Sequence, residues 1–141
     1  MITRRLPEPV EHRACRDYDA RLNADDVPFA TADWSARTAG ADAILCVASD
    51  RVDRAAVAAL PPTVRALATF SVGYNHVDLD ACAARGIVVT NTPDVLTDAT
   101  ADVAMLLLLG AARRAGEGEA LMRARAWTGW TPTQLLGTHL G

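Results

Sequence analysis

The sequence predicts an α/β protein, a flavodoxin-like, doubly wound parallel sheet. Two observations carry that expectation. Up to about residue 89, short apolar runs alternate with short helical segments, which is the spacing of parallel βαβ units. Two of those runs lead into turn chemistry, Ser71-Val72-Gly73 after one and Asn91-Thr92-Pro93 after the other. Glycine or proline punctuation after a strand leaves backbone N–H groups at one rim of the sheet, where open α/β folds bind ligands.

Each element has its own reason. Residues 1–3 read as a first strand, and residues 7–13 as a short helix opening on prolines and glutamates. Residues 18–22 alternate sides like a half-buried strand, residues 23–29 are polar and turn-rich, and residues 32–39 can form a short helix. Residues 43–47 are a continuous apolar strand. Asp53 opens a helix that Pro61-Pro62 stops after Leu60. Residues 64–70 form the next strand, Asp78 caps a helix over residues 79–84, Gly86 ends it, and residues 87–90 form the last strand. Beyond Pro93 the texture changes. Residues 98–115 predict a long helix that is apolar on most of its surface, and residues 116–125 continue it with exposed charges. Residues 126–140 read as a loop rich in Trp, Thr, Pro and Gly. The expected division is a domain over residues 1–97, followed by an interdomain helix and loop over residues 98–141.

Composition narrows the function classes. The chain has 141 residues, half of them hydrophobic, and a net charge of −3, so it carries no basic footprint for nucleic acid. All fourteen cationic residues are arginine. Without lysine, Schiff-base chemistry and the lysine-bearing phosphate loop are both excluded. The first residues, Met1 to Pro9, contain no apolar signal core, and the apolar run 103–109 is far shorter than the ~20 residues that cross a bilayer. Asp98, Asp102, Arg113 and Arg114 flank that run, which reads as protein core. Cys46 and Cys82 read as core thiols, and with Cys15 they form no Cys-x-x-Cys pair, which fits a reduced, cytoplasmic setting. His12, His76 and His139 have no metal-ligand spacing, and His76 reads as a surface residue at a helix start.

Gly73 is the first candidate functional position. At the carboxyl end of a buried strand it permits a sharp turn and a close ligand approach, and consecutive N–H groups there suit a carboxylate. The same residues also fit an ordinary strand-to-helix turn.

The stretch Phe70-Ser71-Val72-Gly73-Tyr74-Asn75-His76-Val77-Asp78, followed by Gly86-Ile87-Val88-Val89-Thr90-Asn91-Thr92-Pro93-Asp94-Val95-Leu96-Thr97, resembles the D-2-hydroxyacid dehydrogenases, nearest to their glyoxylate and hydroxypyruvate reductase branch. The likeness runs from about residue 43 to 141 and more loosely before that. It implies an oxidoreductase that moves hydride between NAD or NADP and C2 of a small 2-oxo acid. By the same resemblance the backbone N–H groups of Val72 and Gly73 hold the substrate carboxylate. The loop Ser49-Asp50-Arg51 forms another wall of that pocket. Thr97 lies against the cofactor in the interdomain cleft; read from its own sequence it is equally a helix N-cap. Trp127 and Trp130 resemble the dimerisation segment of the reductase branch, which implies a homodimer in the intact enzyme.

The resemblance also implies what this stretch does not hold. The family's arginine, glutamate and histidine trio and its dinucleotide loop fall beyond the position of Gly141, in a Rossmann domain. Gly116-Glu117-Gly118 imitates that loop poorly, lacking a preceding strand and having Leu121 where a third glycine belongs. The chain is therefore expected to be an N-terminal fragment, inactive alone and without tight NAD(P) binding. A non-catalytic pairing module, using the tryptophan loop and the apolar helix, is the alternative. A phospho-receiver is ruled out, because the first strand runs into Arg4-Arg5 and no lysine exists.

Overall fold

A computed structural model describes residues 1–126. It divides into two compact units, the first spanning Met1–Val95 and the second beginning at Leu96.

In the first unit, α1 (Glu8–Asp17) follows Pro7, whose fixed φ suits a helix start. A single 3₁₀ turn, Thr31–Asp33, leads into the short α2 (Trp34–Arg37). Then β1 (Ala43–Val47), α3 (Arg54–Ala59), β2 (Ala66–Phe70), α4 (Leu79–Ala84) and β3 (Val88–Thr90) alternate as expected. Both aspartates expected to start helices do so. Asp53 accepts from Ala56 N at 2.9 Å and Asp78 from Ala81 N at 2.8 Å. Gly86 ends α4 at φ +67, with Gly86 N donating to Ala83 O and Ile87 N to Cys82 O. That pair of bonds is a Schellman motif, and its positive φ is why a glycine stands there.

The three strands lie in the order β1-β2-β3, all parallel. Two single-residue bridges extend the sheet beyond β1. Ile2 pairs with Leu45 on one side and with Leu22 on the other, both parallel. The full lateral order is therefore the segment at Leu22, the segment at Ile2, β1, β2 and β3, which is the flavodoxin-like order. The expected strands at residues 1–3 and 18–22 are thus reduced to one bridge residue each. Tyr18 instead caps α1 and is exposed, because the helix runs four residues further than expected, with Arg16 and Asp17 paired at 2.7 Å on its last turn.

The core is a single cluster built on Trp34, Ile44, Val52, Val57 and Leu67 with the thiols Cys46 and Cys82. Phe29 meets Trp34 edge-on at 5.3 Å and Arg37 lies over the Phe29 ring.

The second unit holds α5 (Thr97–Ala112) and α6 (Ala115–Arg123). The expected continuous helix breaks at Arg114, which adopts a left-handed φ of 55. The apolar run expected to be core is solvent-exposed here, with Val103, Met105 and Leu106 to Leu109 each about half or more accessible. No helix among the described residues is long and apolar enough to cross a membrane.

Burial pushes the Cys46 thiol up to about 12 and raises that of Cys82, whereas Cys15 is exposed. Brief iodoacetamide treatment of the native chain is expected to add one label, at Cys15, read by mass spectrometry of peptides. Labelling of Cys46 before unfolding contradicts this packing.

Candidate functional site

The site is built where β2 runs out of partners. Ser71 O accepts from Thr92 N at 3.0 Å, Val72 O from Asn91 Nδ2 at 2.8 Å, and Gly73 O from Ser71 Oγ at 2.7 Å. Three consecutive carbonyls are thus pinned, two by the segment after β3 and one by the loop itself. In a trans peptide the N–H points opposite to its carbonyl. The N–H groups of Val72, Gly73 and Tyr74 are therefore each aimed away from the group holding their own peptide. Among the described residues none of the three donates to an acceptor. Open space surrounds the Gly73 α-carbon on the side a Cβ would occupy. Consecutive free amides of this kind attract an anionic oxygen.

Beneath the loop lies a polar cluster that the sequence did not reveal. Thr69 Oγ1 is 2.6 Å from Ser71 Oγ and 2.9 Å from His76 Nε2, and Cys46 Sγ lies 4.0 Å from the same nitrogen. His76 is therefore not the surface residue expected of it. Its ring is half-buried, and its backbone carbonyl accepts from Val52 N at 2.8 Å. Burial lowers its pKa, opposed by the charge of Asp50. The signal available in the sequence was Thr69, a hydroxyl at a strand position whose alternation demands burial.

The loop after β1 is organised differently. Asp50 turns inward, buried, where its carboxylate accepts from Val47 N at 2.9 Å and from the Thr3 hydroxyl. Ser49 and Arg51 remain exposed. Ser49 Oγ receives Arg4 Nη1 at 3.3 Å, and Arg51 pairs with Asp53 at 2.9 Å. Arg4 is also held by both carboxylate oxygens of Asp26, at 2.8 and 3.2 Å. Thr97 is the first residue of α5, in the second unit. Leu96 holds the N-cap position without a side-chain bond, so the N-cap reading of Thr97 is corrected. Trp127 and Trp130 lie outside the described residues. Among the described residues no cluster of His, Cys, Asp or Glu could hold a metal ion. The Gly116-Glu117-Gly118 run is helical within α6, so it does not form a loop to hold a pyrophosphate.

A family model for the D-isomer specific 2-hydroxyacid dehydrogenase catalytic domain matches residues 1–133. The chain belongs to that family. Over 141 residues it is 45% identical to glycerate dehydrogenase of Hyphomicrobium methylovorum, covering 99% of this chain and 44% of that protein. It is 37% identical to the human glyoxylate reductase/hydroxypyruvate reductase, covering 99% of this chain and 43% of the relative. Among solved structures, an NAD-binding D-isomer specific 2-hydroxyacid dehydrogenase from Polaromonas superposes with a TM-score of 0.85 at 37% identity, over 99% of this chain and 44% of the other. The chain thus spans less than half the length of the relatives it matches.

Electrostatics at the rim can be tested directly. The Arg4 guanidinium and then the Arg5 amide hold the Asp26 carboxyl at about 2, below the usual 3.8. The folded value is the lower one, so this stabilisation is complete above 3.8 and is lost as the pH falls through about 2. Asp26→Asn is expected to flatten the fall of the urea midpoint across that window. An unchanged acid limb means that the pair contributes nothing.

Proposed function

We propose that this chain is the substrate-binding, N-terminal portion of an NAD(P)-dependent D-2-hydroxyacid dehydrogenase acting on glyoxylate or hydroxypyruvate. The observation that carries this reading is the row of unpartnered N–H groups at Val72 and Gly73, fixed by pinned carbonyls. A substrate carboxylate accepts from them, which orients C2 of the 2-oxo acid. Neutral amides suit this task because they hold the anion without trapping it as a buried ion pair. The relatives named glycerate dehydrogenase and glyoxylate reductase support a small 2-oxo or 2-hydroxy acid. The Polaromonas protein, described as NAD-binding, supports a nicotinamide cofactor. Such a cofactor supplies the hydride; the described residues contain no loop fitted to its pyrophosphate. In this reading Ser49 and Arg51 line the pocket beside the amides, Asp50 stiffens that wall from inside, and Thr97 faces the cofactor. Trp127 and Trp130 belong to the homodimer contact, the domain boundary falls near residue 97, and the setting is cytoplasmic.

Titration of the ¹⁵N-labelled chain with glycolate is expected to shift the Val72 and Gly73 amide resonances together. Asn91→Ala, which frees the Val72 carbonyl, should weaken that binding about fivefold, the worth of one ordinary hydrogen bond. Resonances that stay in place under saturating glycolate remove the carboxylate site from this loop.

In this reading the hydride-transfer machinery belongs to the part of the enzyme that the chain, matching 44% of the Hyphomicrobium protein, does not span. NADPH oxidation by the purified chain with glyoxylate is therefore expected to stay at the rate of a no-protein control. A rate dependent on chain concentration refutes that assignment. A second reading, a non-catalytic pairing module, is favoured by the exposed apolar residues of α5. It predicts no response of Val72 or Gly73 to glycolate.

A further inference from the structure

The cluster of Thr69, Ser71, His76 and Cys46 lies behind the amide row, and its hydrogen bonds have a forced direction. A carbonyl oxygen only accepts, so the 2.7 Å contact from Ser71 Oγ to Gly73 O commits the single Ser71 hydroxyl proton. Across the 2.6 Å separation Ser71 must then accept, and Thr69 must donate. That commits the one proton of Thr69. The 2.9 Å contact between Thr69 Oγ1 and His76 Nε2 can be made only if the ring nitrogen carries a proton and donates it. Thr69 is buried, so solvent does not offer it a substitute donor.

The chain of donors ends on the most flexible residue of the site. Gly73 lies between two peptide planes. Asn91 holds the plane before it through the Val72 carbonyl, and Ser71 holds the plane after it through the Gly73 carbonyl. Fixing both planes removes the torsional freedom that a glycine otherwise keeps. We infer that His76 is a positioning residue, held as the Nε2–H tautomer, which through Thr69 and Ser71 locks the Gly73 carbonyl and thereby preorganises the amide row. Its consequence for substrate binding rests on the carboxylate reading; its geometry does not.

Two titratable groups face the ring. Cys46, from β1, is kept a neutral thiol by burial, and Asp50, from the loop after β1, acts on the ring through its charge against the effect of burial. Because Nε2 already carries a proton, acidification places the second proton on Nδ1. The donor to Thr69 is thus present in both charge states.

Long-range ¹H–¹⁵N correlation of the wild-type chain at neutral pH reads the tautomer directly. The expected result is a protonated Nε2 and a bare, pyridine-type Nδ1 on His76; the opposite tautomer overturns the inference without any variant. His76→Gln places an amide N–H donor near the Nε2 position and should leave the Gly73 carbonyl ¹³C resonance unchanged. His76→Ala should move that resonance upfield and weaken glycolate binding about threefold. A folded His76→Ala chain with an unmoved Gly73 carbonyl also overturns the inference. If glycolate fails to shift the wild-type amides, the carboxylate reading falls alone, and the tautomer and the carbonyl resonance still decide the role of His76.

Discussion

The structure depends on β2 being paired on both sides. Its register aligns Ala66 with Ala43 and with Val88, and Ala68 with Leu45 and with Thr90, so the strand cannot slide or rotate without breaking two ladders. That constraint fixes which face each side chain takes. Leu67 and Thr69 fall on the buried face, and the same alternation carried two residues further brings Ser71 beside Thr69. The first ladder reaches Phe70 and the second ends earlier, at Ala68. The backbone beyond must satisfy its polar groups elsewhere. Its carbonyls find Thr92, Asn91 and Ser71; its N–H groups find none among the described residues. The candidate site is the unfinished edge of this hydrogen-bond accounting.

Burying polar groups near a ligand site is costly unless they are satisfied. Thr69 and Asp50 meet that condition by opposite means. Thr69 exchanges bonds with two side chains around it, whereas Asp50 draws a backbone amide and a threonine hydroxyl onto its carboxylate. Both therefore stiffen a loop at the carboxyl rim, one under β2 and one under β1. The two loops are also tied together, because Val52 N bonds His76 O and Asp78 N bonds Val52 O. The two walls of the proposed pocket consequently share one backbone frame.

The parts of this fold that were legible in the sequence are those whose signal is local. Continuous apolar runs located β1 and β2, and an aspartate ahead of an alanine-rich segment located α3 and α4. Family membership was legible through the segments after β2 and β3. Other features depend on distant partners and left no local trace. The first sheet positions are single bridges: Ile2 rests on Leu45, some forty residues away, and Leu22 rests in turn on Ile2. The break at Arg114 was hidden because α5 is apolar all round and offers no period against which to detect an end, while Gly116 and Gly118 sit inside α6 and do not mark it. The burial of His76 likewise leaves no local trace, because its partner, Thr69, belongs to the preceding strand.

The same accounting decides between two places a ligand could sit. In a sheet of this order the topological switch lies between the segment at Ile2 and β1, and that crevice is where open α/β folds usually bind. Here its charged groups are already paired. Asp26 takes Arg4 through both carboxylate oxygens, Arg4 also reaches Ser49, and the Asp50 carboxylate closes on Thr3. An anion arriving there must displace an existing carboxylate from a guanidinium, which gains it nothing. One strand further along, at Val72 and Gly73, the donors are unoccupied and no displacement is needed. Topology thus points to the rim of the sheet, and the pairing state of each group along that rim is what supports the proposed site at Val72 and Gly73.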